Sequence, residues 1–380
     1  MIRIPLSSPD ITDAEIAAVT AVLRTPHLCF GPELTAFEDS LAATVGAPFA
    51  IAVSSGTTAL HLALIALSIG AGDEVIVPSF AFIAVANTIH QVGAIPVFAE
   101  IDPVTLNLDP ASVAAAITPR SKAMLVVHTF GVPAEMDALL SIAHKHNLRL
   151  IEDACEALGG EYGDGVQARP CGSFGDLAVF GFYPNKQITT GEGGAIIAHH
   201  EETAARLRAL RNQGTRPGDG WFRNTEPGYN YRLSDLACAL GRVQLSRLNE
   251  ILRLRREAAE RYDAILRTTP GLLAAGLELP PLTLPTRTIS WFVYVVRLPD
   301  CVNGEQVQHQ LTQRGIASSR YFAPIHQQPA WHQHPSALQA QLPLTESIAP
   351  RTLALPFFNH ITADQQRETA QALAEILVNS

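Results

Sequence analysis

Residues 177–200 read LAVFGFYPNKQITTGEGGAIIAHH. Two apolar runs, 177–182 and 193–200, bracket a polar, glycine-rich loop that carries Lys186. Runs without polar alternation predict strands buried on both faces, as parallel strands are. The lysine is therefore expected on a loop between two strands of a covered sheet.

The same pattern repeats upstream. FAIAV at 49–53, EVIV at 74–77, IPVFA at 95–99, MLVVH at 124–128 and LRLIE at 148–152 predict strands. Helical stretches at 57–67, 83–91, 111–117 and 136–146 separate them. Strand–helix alternation implies βαβ units with right-handed crossovers. Downstream, 201–211 predicts a helix and 212–231 a long irregular loop, a type that is often functional. Residues 233–266 predict a helical region with at most one break. The remainder offers a strand at 291–298, a helix at 304–314, a Pro/His/Gln-rich loop and a helix at 362–378. The expected division is a large cofactor-binding domain, residues 1–245, and a small α+β domain, 246–380.

Composition narrows the function classes. The chain has 380 residues, 47% hydrophobic and 17% charged, with a net charge of −9. That balance excludes wholesale disorder and argues against nucleic-acid binding, which needs clustered Lys and Arg. No run reaches the roughly 18 apolar residues of a membrane span. Five scattered cysteines without a C-x-x-C pair predict ordinary buried thiols in a reducing cytosol. No membrane partner and a cytoplasmic location are the expectations. G-x-G-x-x-G, the P-loop, H-E-x-x-H and G-x-S-x-G are absent. His326, His332 and His334 fit no standard ligand spacing, so they read as exposed imidazoles of a polar loop and no metal is expected.

Among 27 basic residues only Lys122, Lys145 and Lys186 are lysines. Lys122 opens a strand and Lys145 sits on a polar helix edge, so Lys186 alone has the setting of a site. Two further segments complete it. Ser54-Ser55-Gly56-Thr57-Thr58 joins a strand to a helix, where free N–H groups and the dipole favour a phosphate; helix capping is the competing use of those hydroxyls. Glu152-Asp153-Ala154-Cys155-Glu156 lies at the carboxyl end of a parallel strand, where open α/β sheets bind ligands. A phosphate cradle, a carboxylate and an imine-forming lysine suit pyridoxal 5′-phosphate (PLP).

The chain resembles the DegT/DnrJ/StrS sugar aminotransferases. SSGTTALHLAL, GDEVIVPSFAFIA, IEDACEALG, GSFGDLAVFGFYPNKQITTGEGG, GYNYRLSDLACALGRVQL and RYFAPIHQQP carry the resemblance. It implies the aspartate aminotransferase fold (fold type I), with a large mixed, mostly parallel sheet flanked by helices. It implies PLP, or pyridoxamine phosphate in the alternate half-reaction. Lys186 matches the Schiff-base lysine and Asp153 the partner of the pyridine nitrogen. Glu156 matches a position near the ring's 3′-oxygen, Phe82 the stacking aromatic, and Gly56, Thr57 and Thr58 the phosphate turn. Asn230 matches an asparagine that reaches the phosphate across a homodimer interface, so the active sites would be shared. Tyr183, Arg232, Arg320, Tyr321 and His326 are candidates for the substrate side, together with the loops at 29–32 and 214–227. Gly181 is a departure: many relatives have a serine there whose hydroxyl touches the phosphate. The implied reaction moves an amino group from an amino acid, L-glutamate by analogy, to a nucleotide-linked 4-keto or 3-keto sugar. Dehydration or elimination on a sugar, and a non-catalytic sugar-binding regulator, stay open as alternatives.

Overall fold

The computed structural model describes residues 2–216, 218 and 223–378. Seven strands form its main sheet, in the spatial order Phe49–Val53, Gly194–Ala198, Leu177–Gly181, Arg149–Asp153, Ser121–Val127, Glu74–Pro78 and Ile95–Ala99. Gly194–Ala198 pairs antiparallel with both neighbours, and every other pairing is parallel. The expected mixed, mostly parallel sheet is thus present.

Alternation along each strand sends side chains to two covered faces. On one face Ile51, Val53, Val77, Leu125 and Val179 pack against Leu60, Leu64 and Ile89 of the helices Gly56–Ala66 and Ala84–Gln91. On the other, Ala50, Ala52, Phe180 and Ile197 pack against Phe37, Leu41 and Val45 of helix Pro32–Val45. Each fully buried Leu or Ile contributes about 1.5–3 kcal/mol. Helix Pro32–Val45 and its predecessor Asp13–Leu23 lie outside the sequence reading, which starts at Phe49. Asp13–Leu23 leaves Ile16 and Leu23 exposed, so it lacks the apolar stripe that betrays a surface helix.

The helical region after 233 is two helices, Asp235–Ser246 and Leu248–Thr268, broken at Arg247. Ser234 caps the first by accepting the Ala237 N–H. The strand expected at 291–298 shortens to Tyr294–Arg297, because Trp291 adopts φ 50 and turns the chain before it. That strand pairs with Thr352–Leu355. Around them Tyr262, Leu266, Val296, Leu353, Leu373 and Leu377 build a second core, which Ile4 joins from the N-terminus. The Ile4 carbonyl accepts the Ala317 N–H at 2.9 Å.

Parallel pairing gathers chain ends at one edge of the main sheet. Val53, Asp153 and Gly181 each close a strand there, and Gly194 opens the antiparallel one in register with Val53 and Gly181.

Candidate active site

At that edge the turn after Val53 enters helix Gly56–Ala66. Ser55 and Thr58 close a capping box: Ser55 Oγ accepts the Thr58 N–H at 3.1 Å, and Thr58 Oγ1 accepts the Ser55 N–H at 3.0 Å. The capping use of this segment is therefore present. Thr58, expected at a phosphate, has its hydroxyl spent on the cap. The N–H groups of Gly56 and Thr57 stay free, as first-turn donors do, and Thr57 is exposed. Gly194 lies directly over this turn. A β-carbon there would stand 2.4 Å from the Ser55 carbonyl carbon and 2.6 Å from the Gly56 nitrogen. Backbone packs on backbone, which is why GEGG ends in glycine.

Strand Arg149–Asp153 delivers Asp153, 8% exposed, whose Oδ1 accepts the Cys155 N–H at 3.1 Å. Behind it Glu152 is fully buried and accepts the N–H groups of Gly172, Phe174 and Gly175 at 2.6–2.7 Å, with His128 at 3.0 Å. This carboxylate fixes the turn that starts strand Leu177–Gly181. Burial pushes the Cys155 thiol well up, and the nearby Asp153 adds to it, so the thiol stays protonated.

Lys186 leaves the loop after that strand. Its Nζ lies 3.4 Å from Glu156 Oε1 and 3.8 Å from the centroid of the Phe292 ring. Glu156 Oε2 accepts the Phe130 N–H at 2.8 Å. Burial holds the Glu156 carboxyl above its usual range, although Lys186 pulls the other way. Gly131, at φ +87, sits so close that a β-carbon would come 3.0 Å from both the Glu156 backbone carbonyl oxygen and the Trp291 backbone nitrogen. Lys122 and Lys145 are exposed, which agrees with singling out Lys186.

Gly56, Thr57, Asp153, Cys155, Glu156 and Lys186 line one cavity of about 540 Å³, together with Phe82, Tyr183, Asn185, Phe292 and Tyr321. Phe82 is 61% exposed there. A phosphate would find free N–H donors at one end, a cationic ring nitrogen would find Asp153, and an aldehyde would find Lys186. The residues present therefore fit PLP. Gly181 also lines the cavity, and a β-carbon on it would lie 3.2 Å from Cys155 Sγ. The missing serine thus has a physical counterpart: a thiol fills that corner.

The structure does not bring every candidate to this cavity. His326 is buried; its Nδ1 meets Ser79 Oγ at 2.7 Å and its Nε2 meets Glu346 at 3.2 Å. The reading of His326 as an exposed imidazole is corrected by that burial, and both nitrogens are engaged away from the site. His334 packs on Trp331 and His90. Arg320 pairs with Glu305. Asn230 is exposed, and Arg232 bonds Asn212 at 3.1 Å and lies over Phe30. Arg232 lines a second, larger cavity of about 1230 Å³ with Phe30, Glu38 and Arg208. None of the Lys186 cavity's residues line that one. Of the loop at 214–227, residues 217 and 219–222 lie outside the described residues. Phe292, which the sequence reading passed over, also lines the Lys186 cavity. The run WFVYVV announces burial but not what the ring faces. Among the described residues no cluster of His, Cys, Asp and Glu could hold a metal ion, and no helix is long and apolar enough to cross a membrane.

Comparison with known proteins adds to this geometry. Residues 9–374 match the model of the DegT/DnrJ/EryC1/StrS aminotransferase family. GDP-perosamine synthase of Caulobacter vibrioides is 38% identical, over 99% of each chain. The spore coat polysaccharide biosynthesis protein SpsC of Bacillus subtilis is 36% identical, over 98% of this chain and 97% of its own. The crystal structure of DesV from S. venezuelae, solved with a ketimine intermediate, superposes with a TM-score of 0.87 at 36% identity, over 99% of each chain.

Proposed function

This chain belongs to the DegT/DnrJ/EryC1/StrS aminotransferase family, whose cofactor is PLP, and on that premise we propose that it transfers an amino group from L-glutamate to a keto sugar carried on a nucleotide, at C4 or C3 of the sugar. One observation carries the reading: Lys186, Asp153 and the free N-terminus of helix Gly56–Ala66 converge on a single cavity. The relatives are consistent with it, since one makes GDP-perosamine and another serves a spore coat polysaccharide. The product would enter amino-sugar or polysaccharide biosynthesis.

Bound PLP supplies an electron sink and an aldehyde carbon that accepts and returns the amino group. The chain's own residues do the rest. The N–H groups of Gly56 and Thr57 and the Thr57 hydroxyl hold the phosphate at the positive end of a helix. Asp153 would hold a proton on the ring nitrogen, and Phe82 would cover a ring face. Glu156 sits beside the lysine and takes the position near the 3′-oxygen. Lys186, once free, would serve as the general base, taking up and giving back a proton at Nζ. Tyr183 and Tyr321 shape the mouth where the sugar enters.

Asn230 and Arg232 do not line this cavity, so we place them at a second copy's site in a homodimer. Arginines such as Arg232 and Arg320 suit the diphosphate of an anionic substrate.

The test is direct. The purified protein is yellow with PLP, and Lys186→Ala loses both that absorbance and amino transfer. A panel of nucleotide-linked keto sugars with glutamate, followed by mass spectrometry, identifies the substrate by the mass change of amination. A Lys186→Ala variant with normal turnover refutes the scheme.

A further inference from the structure

The Lys186 ammonium has two neighbours, and one of them is an aromatic face. Phe292 is 2% exposed, and its ring centroid is 3.8 Å from Nζ. That is inside the reach of about 6 Å at which a ring quadrupole attracts a cation. The ring is held from several sides. The Phe292 N–H donates to the Phe130 carbonyl at 3.3 Å, and the Phe292 carbonyl accepts Arg255 Nη2 at 2.9 Å. Tyr321 lies parallel to it at 6.5 Å.

The second neighbour, Glu156, hangs on the same joint. Its Oε2 accepts the N–H of Phe130, the residue whose carbonyl takes Phe292. One residue therefore sets both walls of the lysine's seat. The remaining titratable groups lining the cavity are Asp153, Cys155, Tyr183, Glu192 and Tyr321. Cys155 stays a thiol, and burial together with the Glu156 charge pushes the Tyr321 phenol up. Neither adds negative charge of its own to the seat.

We propose that Phe292 is a further residue of the reaction centre: its ring face stabilises the charged form of Lys186 after the donor has displaced it, and keeps that nitrogen beside Glu156. The inference rests on Lys186 being the displaced lysine. The step is a proton transfer that balances on one atom. Nζ passes from amine to ammonium as it takes the proton, and from ammonium to amine as it gives it up. A ring that favours the ammonium makes the amine a stronger base for the first transfer. An aliphatic residue of similar size would fill the space without doing so.

The scarcity of lysine makes the test clean. The full chain is stripped of cofactor, then also loaded with pyridoxamine phosphate; Lys186 is free in both states. Limiting acetic anhydride acylates free amines, and mass spectrometry reads Lys186 against the exposed Lys122 and Lys145 in the same molecule. Phe292→Leu is expected to shift the pH profile of Lys186 acylation to lower pH. At one pH on the rising limb the gain is about two- to thirtyfold, the span of a cation–π contact. Phe292→Tyr, which keeps a π face, retains the parent profile. A Leu variant with an unmoved profile overturns the proposal. So does one whose high-pH plateau rises without a shift, because that is access rather than charge. A Tyr variant no better than Leu overturns it as well. Whether PLP binds at all is read separately from the colour of the parent chain, so failure of the proposed function is not confused with failure of this inference.

Discussion

Restoring the serine at position 181 is the sharpest probe of the phosphate corner. Gly181→Ser places a β-carbon 3.2 Å from Cys155 Sγ, 3.5 Å from Cys155 Cβ and 3.7 Å from Gly56 Cα. The first contact is tighter than ordinary packing, and Cys155 has little room to retreat because its N–H is held by Asp153. Overpacking of this kind costs about 1–3 kcal/mol. Unfolding entropy is about 2.1 cal/mol/K per residue, or about 0.8 kcal/mol/K for the chain, so the cofactor-free melting temperature falls by about 1–4 °C. Cys155→Ala alone leaves a gap of about one methyl group, worth about 1 kcal/mol. The double variant fits the serine into that gap. Its loss is expected to be smaller than the sum of the two single losses by about 0.5–3 kcal/mol, as for side chains in contact. The assay is differential scanning calorimetry of the four cofactor-free proteins, with PLP affinity measured in parallel. A hydroxyl free to reach a charged phosphate gains about 1.5–3 kcal/mol, so the double variant should bind PLP about tenfold tighter or better. Melting shifts that simply add would show that Cys155 is not what keeps position 181 small.

Gly194→Ala drives a β-carbon into the Ser55–Gly56 backbone; with overpacking at about 1–3 kcal/mol or more, both melting temperature and PLP affinity fall, by calorimetry and by absorbance titration. Glu156 has a raised folded value, so ionising it costs native stability. That cost is absent below about pH 4, where the unfolded carboxyl is also protonated, and grows as pH rises through the folded value. The cofactor-free Glu156→Gln protein should accordingly melt above the parent at about pH 8 and level with it in acid. If two copies share sites, mixing inactive Lys186→Ala with weakened Asn230→Ala and allowing exchange should restore part of the transfer activity in hybrids, whereas unmixed proteins stay at their own levels.

Much of the site was legible because its chemistry needs rare residues in fixed places. Asp153 ends the strand Arg149–Asp153, and the parallel sheet itself carries it to the binding edge. Lys186 stands out because so few lysines compete. What stayed hidden depends on contacts across the sequence. Thr58 looks like a phosphate ligand until the capping box is seen. His326 looks like a pocket residue until Ser79 and Glu346 take both its nitrogens. Phe292 lies over 100 residues from Lys186, in a run whose pattern announces burial only. Helix Asp13–Leu23 shows no apolar stripe to read, although Thr12 and Glu15 form a capping box at its start.

Arg255 acts as a mechanical link between the second core and the lysine loop. It is 3% exposed on helix Leu248–Thr268, within the second core's longest helix. Its guanidinium grips the carbonyls of Trp291 and Phe292 at 2.8 and 2.9 Å, and that of Asn185, beside the lysine, at 3.3 Å. Asn359, on the far side of the second core's sequence, holds it at 2.8 Å. The C-terminal core thus has a hand on the loop that bears the reactive nitrogen. Loosening that core by heat would slacken the loop, so the cofactor's colour should fade at the temperature where the C-terminal core melts. The chromophore becomes a thermometer for a part of the molecule it does not touch.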